Sequence, residues 1–220
     1  MDIASQVALL DKMLLSDVKT EFPYPLANEE KVAVSAYLLL AHACIEEYAE
    51  GIFLDHFDRL GELSRSPITP RAVVQLGFAV ALSLPEATRK TMAYKTRTLE
   101  GALNAGRKNY LGSFVKKNDG LKEKNIQKLA EGVGVQWGDI ETRLNSQLAD
   151  LDTLGAKRGE AGHLSPFSPK TLTLTEQAYP ADARAWVEAG RDAVLALKAF
   201  LTEDVDSALR SWADLSLPLA

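Results

Sequence analysis

The run from Asn28 to Leu60 constrains the fold more than any other part of the chain. Its apolar residues (Val32, Val34, Ala36, Leu38 to Cys44, Ile45, Ile52, Phe53, Phe57 and Leu60) cover too many sides of a 3.6-residue repeat for a helix that merely lies on a surface. Such a wide stripe predicts a long central helix over about 28–60, touched by neighbours on several sides. Asn28 reads as its cap, with Glu29 and Glu30 as an acidic first turn. The longest near-apolar stretch inside it, Val32 to Cys44, contains Ser35 and His42 and is too short to span a bilayer.

Helical spacing recurs along the rest of the chain. Ile3, Val7, Leu10, Leu14 and Val18 predict an amphipathic helix over 3–19, which Phe22-Pro-Tyr-Pro25 then blocks. Ser66-Pro67 and Thr69-Pro70 mark a loop, and 71–84 is a strongly apolar segment. Pro85 either kinks that segment or starts a new helix to about 105. Gly106 to Gly120 mixes basic, aromatic and turn residues and reads as a partly ordered connection. Helices follow at 122–131, stopping at Gly132-Val-Gly134, and at about 136–156. Ser165 to Pro169 reads as a loop, and Lys170 to Thr175 alternates as an isolated extended segment would. Asp182 reads as the cap of a long C-terminal helix over about 182–203. No internal repeat is present. The expected fold is all-α, a bundle of about six to eight helices in a single domain over 1–220, with 1–25 as an N-terminal helical appendage.

A chain of 220 residues can bury a sizeable core without covalent staples. Cys44 is the only cysteine and lies in an apolar run, so it reads as a small buried hydrophobe in a reducing compartment. The N-terminus has no basic region leading into an apolar core, and the expected location is cytoplasmic. The net charge of −5 argues against a generic nucleic-acid coat, but it is unevenly spread. Residues 89–128 hold eleven Lys/Arg against three acidic residues, a net +8 that leaves −13 elsewhere. Such a segment suits a local polyanion site, and it equally suits a solvated helical face.

Chemistry concentrates late, in Leu154-Gly-Ala-Lys-Arg-Gly-Glu-Ala-Gly-His-Leu-Ser-Pro166. Arg158 offers a planar fork of donors for phosphate oxygens, and His163 can move a proton near neutral pH. In an unbroken helix five residues advance about 500°, leaving the two side chains about 140° apart. They converge only if the helix breaks at Gly159 and Gly162. The plain alternative is that both residues serve a helix C-terminus. On the central helix His42, Glu46 and Glu50 share one face, as half of a metal site or as a polar seam reaching the active surface. No Cys/His metal cluster, Gly-rich phosphate loop or G-x-S-x-G elbow is present.

Three stretches in this order resemble the HEPN superfamily, most closely the RiboL-PSP-HEPN group. Tyr37-Leu-Leu-Leu-Ala-His-Ala-Cys-Ile-Glu-Glu-Tyr48 resembles the family helix with a Glu two residues before an aromatic, which maps to Glu46 and Tyr48. Asn125-Ile-Gln-Lys-Leu-Ala-Glu-Gly-Val-Gly134 resembles the short helix before the motif helix, and Leu154 to His163 resembles the R-x4-6-H signature itself. The resemblance implies a helical bundle that pairs as a homodimer, with two motifs in one cleft, and metal-independent RNA cleavage without a cofactor. Arg158, His163 and Glu46 would then be the catalytic residues, and Arg107, Lys108, Lys116 and Lys117 would hold RNA phosphates. An antitoxin or other defence-locus protein is the further partner it implies, with no membrane role. Gly159 stands where many members place Asn, Asp or His, and Leu164 replaces the usual Gly after the histidine. Those departures suit a second reading, a non-catalytic binding or dimerisation module. A third is an unrelated helical adaptor in which Arg158 and His163 point apart, with no acidic residue of the central helix near them.

Overall fold

A computed structural model describes residues 2–18, 26–64, 71–86, 89–90, 99–163 and 179–215, with side chains to 207. Among them no strand occurs. Seven α-helices are present: α1 (Ile3–Leu14), α2 (Asn28–Leu63), α3 (Arg71–Ser83), α4 (Leu99–Tyr110), α5 (Glu123–Gly132), α6 (Trp137–His163) and α7 (Pro180–Leu215). The block at 22–25, the loops at 66–70 and 165–169, the extended run at 170–175 and most of the helix expected after Pro85 lie outside the described residues.

The two longest helices start by the same device. The Ala27 N–H donates to Glu30 Oε2 (2.7 Å), and the Tyr179 N–H donates to Asp182 Oδ2 (3.2 Å). Each acid thus stands three residues inside and reaches back to an otherwise orphaned donor, half of a capping box. Asn28 and Asp182 are therefore not the caps expected of them; the cap positions fall one and three residues earlier, at Ala27 and Tyr179, and Pro180 takes the first helical position, where its missing N–H costs nothing. By length and composition α2 is apolar enough to cross a bilayer, yet much of it is core, with Tyr37, Ile45, Phe53, Phe57 and Leu60 at most 2% exposed.

The chain divides into two compact units. The first comprises Met1–Ala49, Gly120–Glu123 and Leu144–Ala196. Here α7 is tied to α1 by Arg184, whose Nε donates to Asp11 Oδ1 (2.5 Å) and Nη2 to the Leu15 carbonyl (3.2 Å). Gly190 brings α7 close to α6: a Cβ there would stand 2.5 Å from Leu154 Cδ2. Tyr37 is buried in this unit, and burial, with the charges of Asp11 and Glu188, pushes its phenol up to about 12.

The second unit comprises Glu50–Asp119, Lys124–Arg143 and Leu197–Ala220. Its aromatic centre stacks Phe57 on Tyr110 (5.8 Å between centroids) and Tyr110 on Phe114 (5.4 Å), and the Tyr110 hydroxyl donates to the Leu129 carbonyl (3.0 Å). Those contacts correct the expectation of a partly ordered connection over 106–120. The chain continues as α4 into a π-helical turn at Leu111–Val115, because burying Tyr110 and pairing Arg107 outweigh the turn-prone composition. After α5, Gly134 takes φ +82°, and a Cβ there would meet the Gln75 backbone at 2.7 Å.

Candidate functional site

The site is built where α6 meets α2 in the first unit. Along α6, Leu151 and Leu154 are buried, and Arg158 follows on the same face at helical spacing, half-buried. One turn on, Gly162 lies against Leu39 of α2, where an added Cβ would stand 3.4 Å from Leu39 Cδ2. On α2, one turn past Leu39 in the direction of Glu46, comes His42, 1% exposed, with Nδ1 3.4 Å from Glu46 Oε2. Burial, helped by the positive charge of Arg158, lowers the His42 imidazole to a pKa of about 4. His42 is therefore neutral at pH 7, and Arg158 lies close enough to a buried group of α2 for its charge to be felt there.

His163 does not join them. The chain stays helical through Gly159 and Gly162, so α6 runs to His163 rather than to about 156, and the expected break is absent. Neither glycine leaves the helical region of φ, since a permissive residue permits a break without requiring one. Arg158 and His163 accordingly stay about 140° apart around the helix, with His163 exposed at its last residue. Glu160, the alternative orienting acid, accepts from Lys157 Nζ at 3.0 Å, and that ammonium lies 4.9 Å from the centre of the Trp186 ring.

The basic and acidic residues of the second unit have mixed surroundings. Arg107 is clasped by Asp58, Nε to Oδ1 at 2.5 Å and Nη2 to Oδ2 at 2.6 Å, which satisfies most of its fork. Lys108, Lys116 and Lys117 are exposed. Glu50, the third member of the α2 acidic face, accepts from Asn118 Nδ2 at 2.9 Å. Sequence spacing gave no sign of His56, a second buried α2 histidine whose Nε2 is 3.8 Å from Asp204 Oδ2, beyond hydrogen-bond reach. Among the described residues, no group of three His, Cys, Asp or Glu side chains converges as a metal site.

The family model RiboL-PSP-HEPN matches residues 12–179, a span that contains Glu46, Arg158 and His163. The chain belongs to the RiboL-PSP-HEPN family. The matched span covers α2 to α6 and ends just before α7, so the HEPN-type domain includes both faces of the candidate site. No curated protein and no solved structure matches the chain.

Proposed function

We propose that this HEPN-type chain is a metal-independent endoribonuclease of a toxin–antitoxin or antiviral defence system, working in the cytoplasm on RNA. The observation that supports it best is that the charge of Arg158 is felt at the buried His42, whose Nδ1 lies 3.4 Å from Glu46 Oε2, so a phosphate-binding cation and an acid share one histidine as neighbour. In this reading the ribose 2′-hydroxyl gives up its proton to a general base and attacks the adjacent phosphorus. The 5′-oxygen of the next nucleotide leaves with a proton, and the products are a 2′,3′-cyclic phosphate and a 5′-hydroxyl. His163 serves as the base or acid, and Arg158 stabilises the charge of the phosphorane-like transition state. Glu46 holds Arg158. The exposed Lys108, Lys116 and Lys117 hold flanking phosphates, with Arg107 contributing less because Asp58 already engages it.

Since the two motif side chains diverge along one helix, the reading asks for two chains, with His163 of one completing the cleft around Arg158 of the other. Total RNA incubated in EDTA with the wild type, Arg158→Ala and His163→Ala tests it. Cleavage by the wild type alone, leaving cyclic phosphate ends, is the expected result, and equal cleavage by all three would sink the assignment. The same divergence favours a second reading, a binding or dimerisation module that cleaves nothing. Expression distinguishes the two: the enzyme should arrest its host and the module should not.

A further inference from the structure

The second unit contains a cavity of about 260 Å³ whose walls come from three helices. Pockets for drug-sized ligands run from about 300 to 1,000 Å³, so this one suits something smaller, such as a single planar ring system. α3 contributes Arg71 and Gln75, the first turn of α6 with the residue before it contributes Gln136 and Asp139, and α7 contributes Asp204 and Ser207. Phe200, one turn before Asp204 on the same face of α7, and Val135 supply hydrocarbon, and both are largely buried. The base of the cavity is fixed by backbone. Gly134 brings the α5–α6 joint so close to α3 that no side chain fits between it and the Gln75 backbone, so the walls are set before any ligand arrives.

The lining is polarised. Its cation, Arg71, stands on α3, whereas its two carboxylates, Asp139 and Asp204, stand on α6 and α7. Burial, and then the charge of Asp139, raises the Asp204 pKa, so the two acids are neighbours. Among the described residues no ion pair joins Arg71 to either of them. His56 Nε2 lies 3.8 Å from Asp204 Oδ2, too far for a hydrogen bond, and this leaves the carboxylate its acceptor capacity. A bare cation here would be repelled by Arg71, and an anion by the two acids. An uncharged ring escapes both penalties if it has two adjacent acceptors for the guanidinium and two adjacent donors for a carboxylate. Guanine carries both pairs. Its O6 and N7 are the acceptors that arginine binds bidentately, and N1–H with the N2 amino group matches the two oxygens of a carboxylate. Adenine and cytosine offer a carboxylate only one amino group, and uracil only one N–H. Unstacked bases of RNA are read in this way, along their Watson–Crick and Hoogsteen edges.

We propose that this cavity is a pocket for an unpaired guanine of RNA, with Arg71 on O6 and N7, and Asp204 beside Asp139 on N1–H and the N2 amino group. Naming a base deepens the ribonuclease reading and rests on it only for RNA as the source of the guanine; nucleoside binding is measured apart from cleavage, and Arg158→Ala should leave it unchanged. Calorimetry on the full chain with guanosine, adenosine, cytidine and uridine provides the test. Nucleosides are uncharged, so a general attraction of basic residues for phosphate cannot mimic the result. Guanosine should bind with a Kd of about 1 mM or below, and at least about 10-fold more tightly than the other three. Inosine, which lacks the amino group, and 7-deazaguanosine, which lacks N7, should each bind about 10-fold more weakly than guanosine, one reporting on each edge. Asp204→Asn and Arg71→Lys should each abolish the preference, the second because an ammonium keeps the charge but not the fork. Arg71 is exposed and the Asp204 side chain is 43% exposed, so helicity and Tm should hold. Guanosine binding without RNA cleavage would support the pocket and count against the ribonuclease alone. No guanosine binding at about 1 mM, equal binding of guanosine and inosine, or a preference that survives both substitutions would overturn the proposal. Binding of glycine or arginine in place of guanosine would also overturn it, since the charged walls would then serve a zwitterion.

Discussion

Two histidines on α2, four helical turns apart, carry the same burial penalty in different company. His42 and His56 are 1% and 3% exposed, and each is held at a pKa of about 4, with burial the leading cause in both. His42 faces Glu46 and feels Arg158 in the first unit. His56, in the second, has both ring nitrogens buried without a well-formed hydrogen bond; a weak approach to the Leu201 backbone raises its pKa, Arg59 lowers it, and Asp204 Oδ2 lies 3.8 Å from Nε2. One buried imidazole thus feels the charge of Arg158 and the other that of Arg59. Burial alone makes a histidine neutral, so neutrality is no sign of function; the partner is what tells the two apart.

The sharpest test of that difference is catalytic. Arg158→Ala and His163→Ala should each lower RNA cleavage by about 100-fold or more, while His56→Leu should leave it within about two-fold. Loss on His56→Leu in a folded protein would erase the distinction.

Acid should then treat the two histidines alike. Below pH 6.5 the unfolded chain binds a proton at each that the folded chain refuses until about pH 4. Stability is therefore full above pH 6.5 and falls as the pH drops from 6.5 to 4, by up to about 1.4 kcal/mol per pH unit for each imidazole. Urea unfolding across that window, with His42→Leu and His56→Leu measured singly, should show each substitution removing about half of the slope.

A smaller effect separates them again. Arg158→Met should raise the pKa of His42, because a positive charge beside it is gone, and leave His56 where it was. Imidazole titration by NMR reads both, and a shift of equal size at the two sites would break the comparison. The smallest expected change lies in the basic residues: Lys116→Ala and Lys117→Ala should each weaken RNA binding without altering sequence preference, and each should reduce the salt slope by about one.

Much of the fold was legible because helical periodicity records which faces are buried. The apolar spacing of α2, α5 and α6 predicted their existence and approximate extent, and the family resemblance rested on residues that the structure does place on α2, α5 and α6. The misreadings share one cause. Residues 106–120 have the composition of a connection, but Tyr110 and Phe114 find Phe57, and Arg107 finds Asp58, 49 residues away. Gly159 and Gly162 permit a broken helix, but Gly162 is small enough for α6 to lie against Leu39, and the helix continues.

By itself, then, the sequence determined that the chain is helical, which faces turn inward and which residue types suit phosphate chemistry, since each of these follows from local spacing and residue type. Only the tertiary structure decided that the charge of Arg158 is felt at His42 of α2 while His163 stays exposed at the helix end, that Arg107 is engaged by Asp58, and that the Val74–Phe78–Leu82 side of α3 stays outside. Those outcomes depend on which distant residues arrive opposite, and a one-dimensional pattern holds the period of a helix but not the identity of its neighbour.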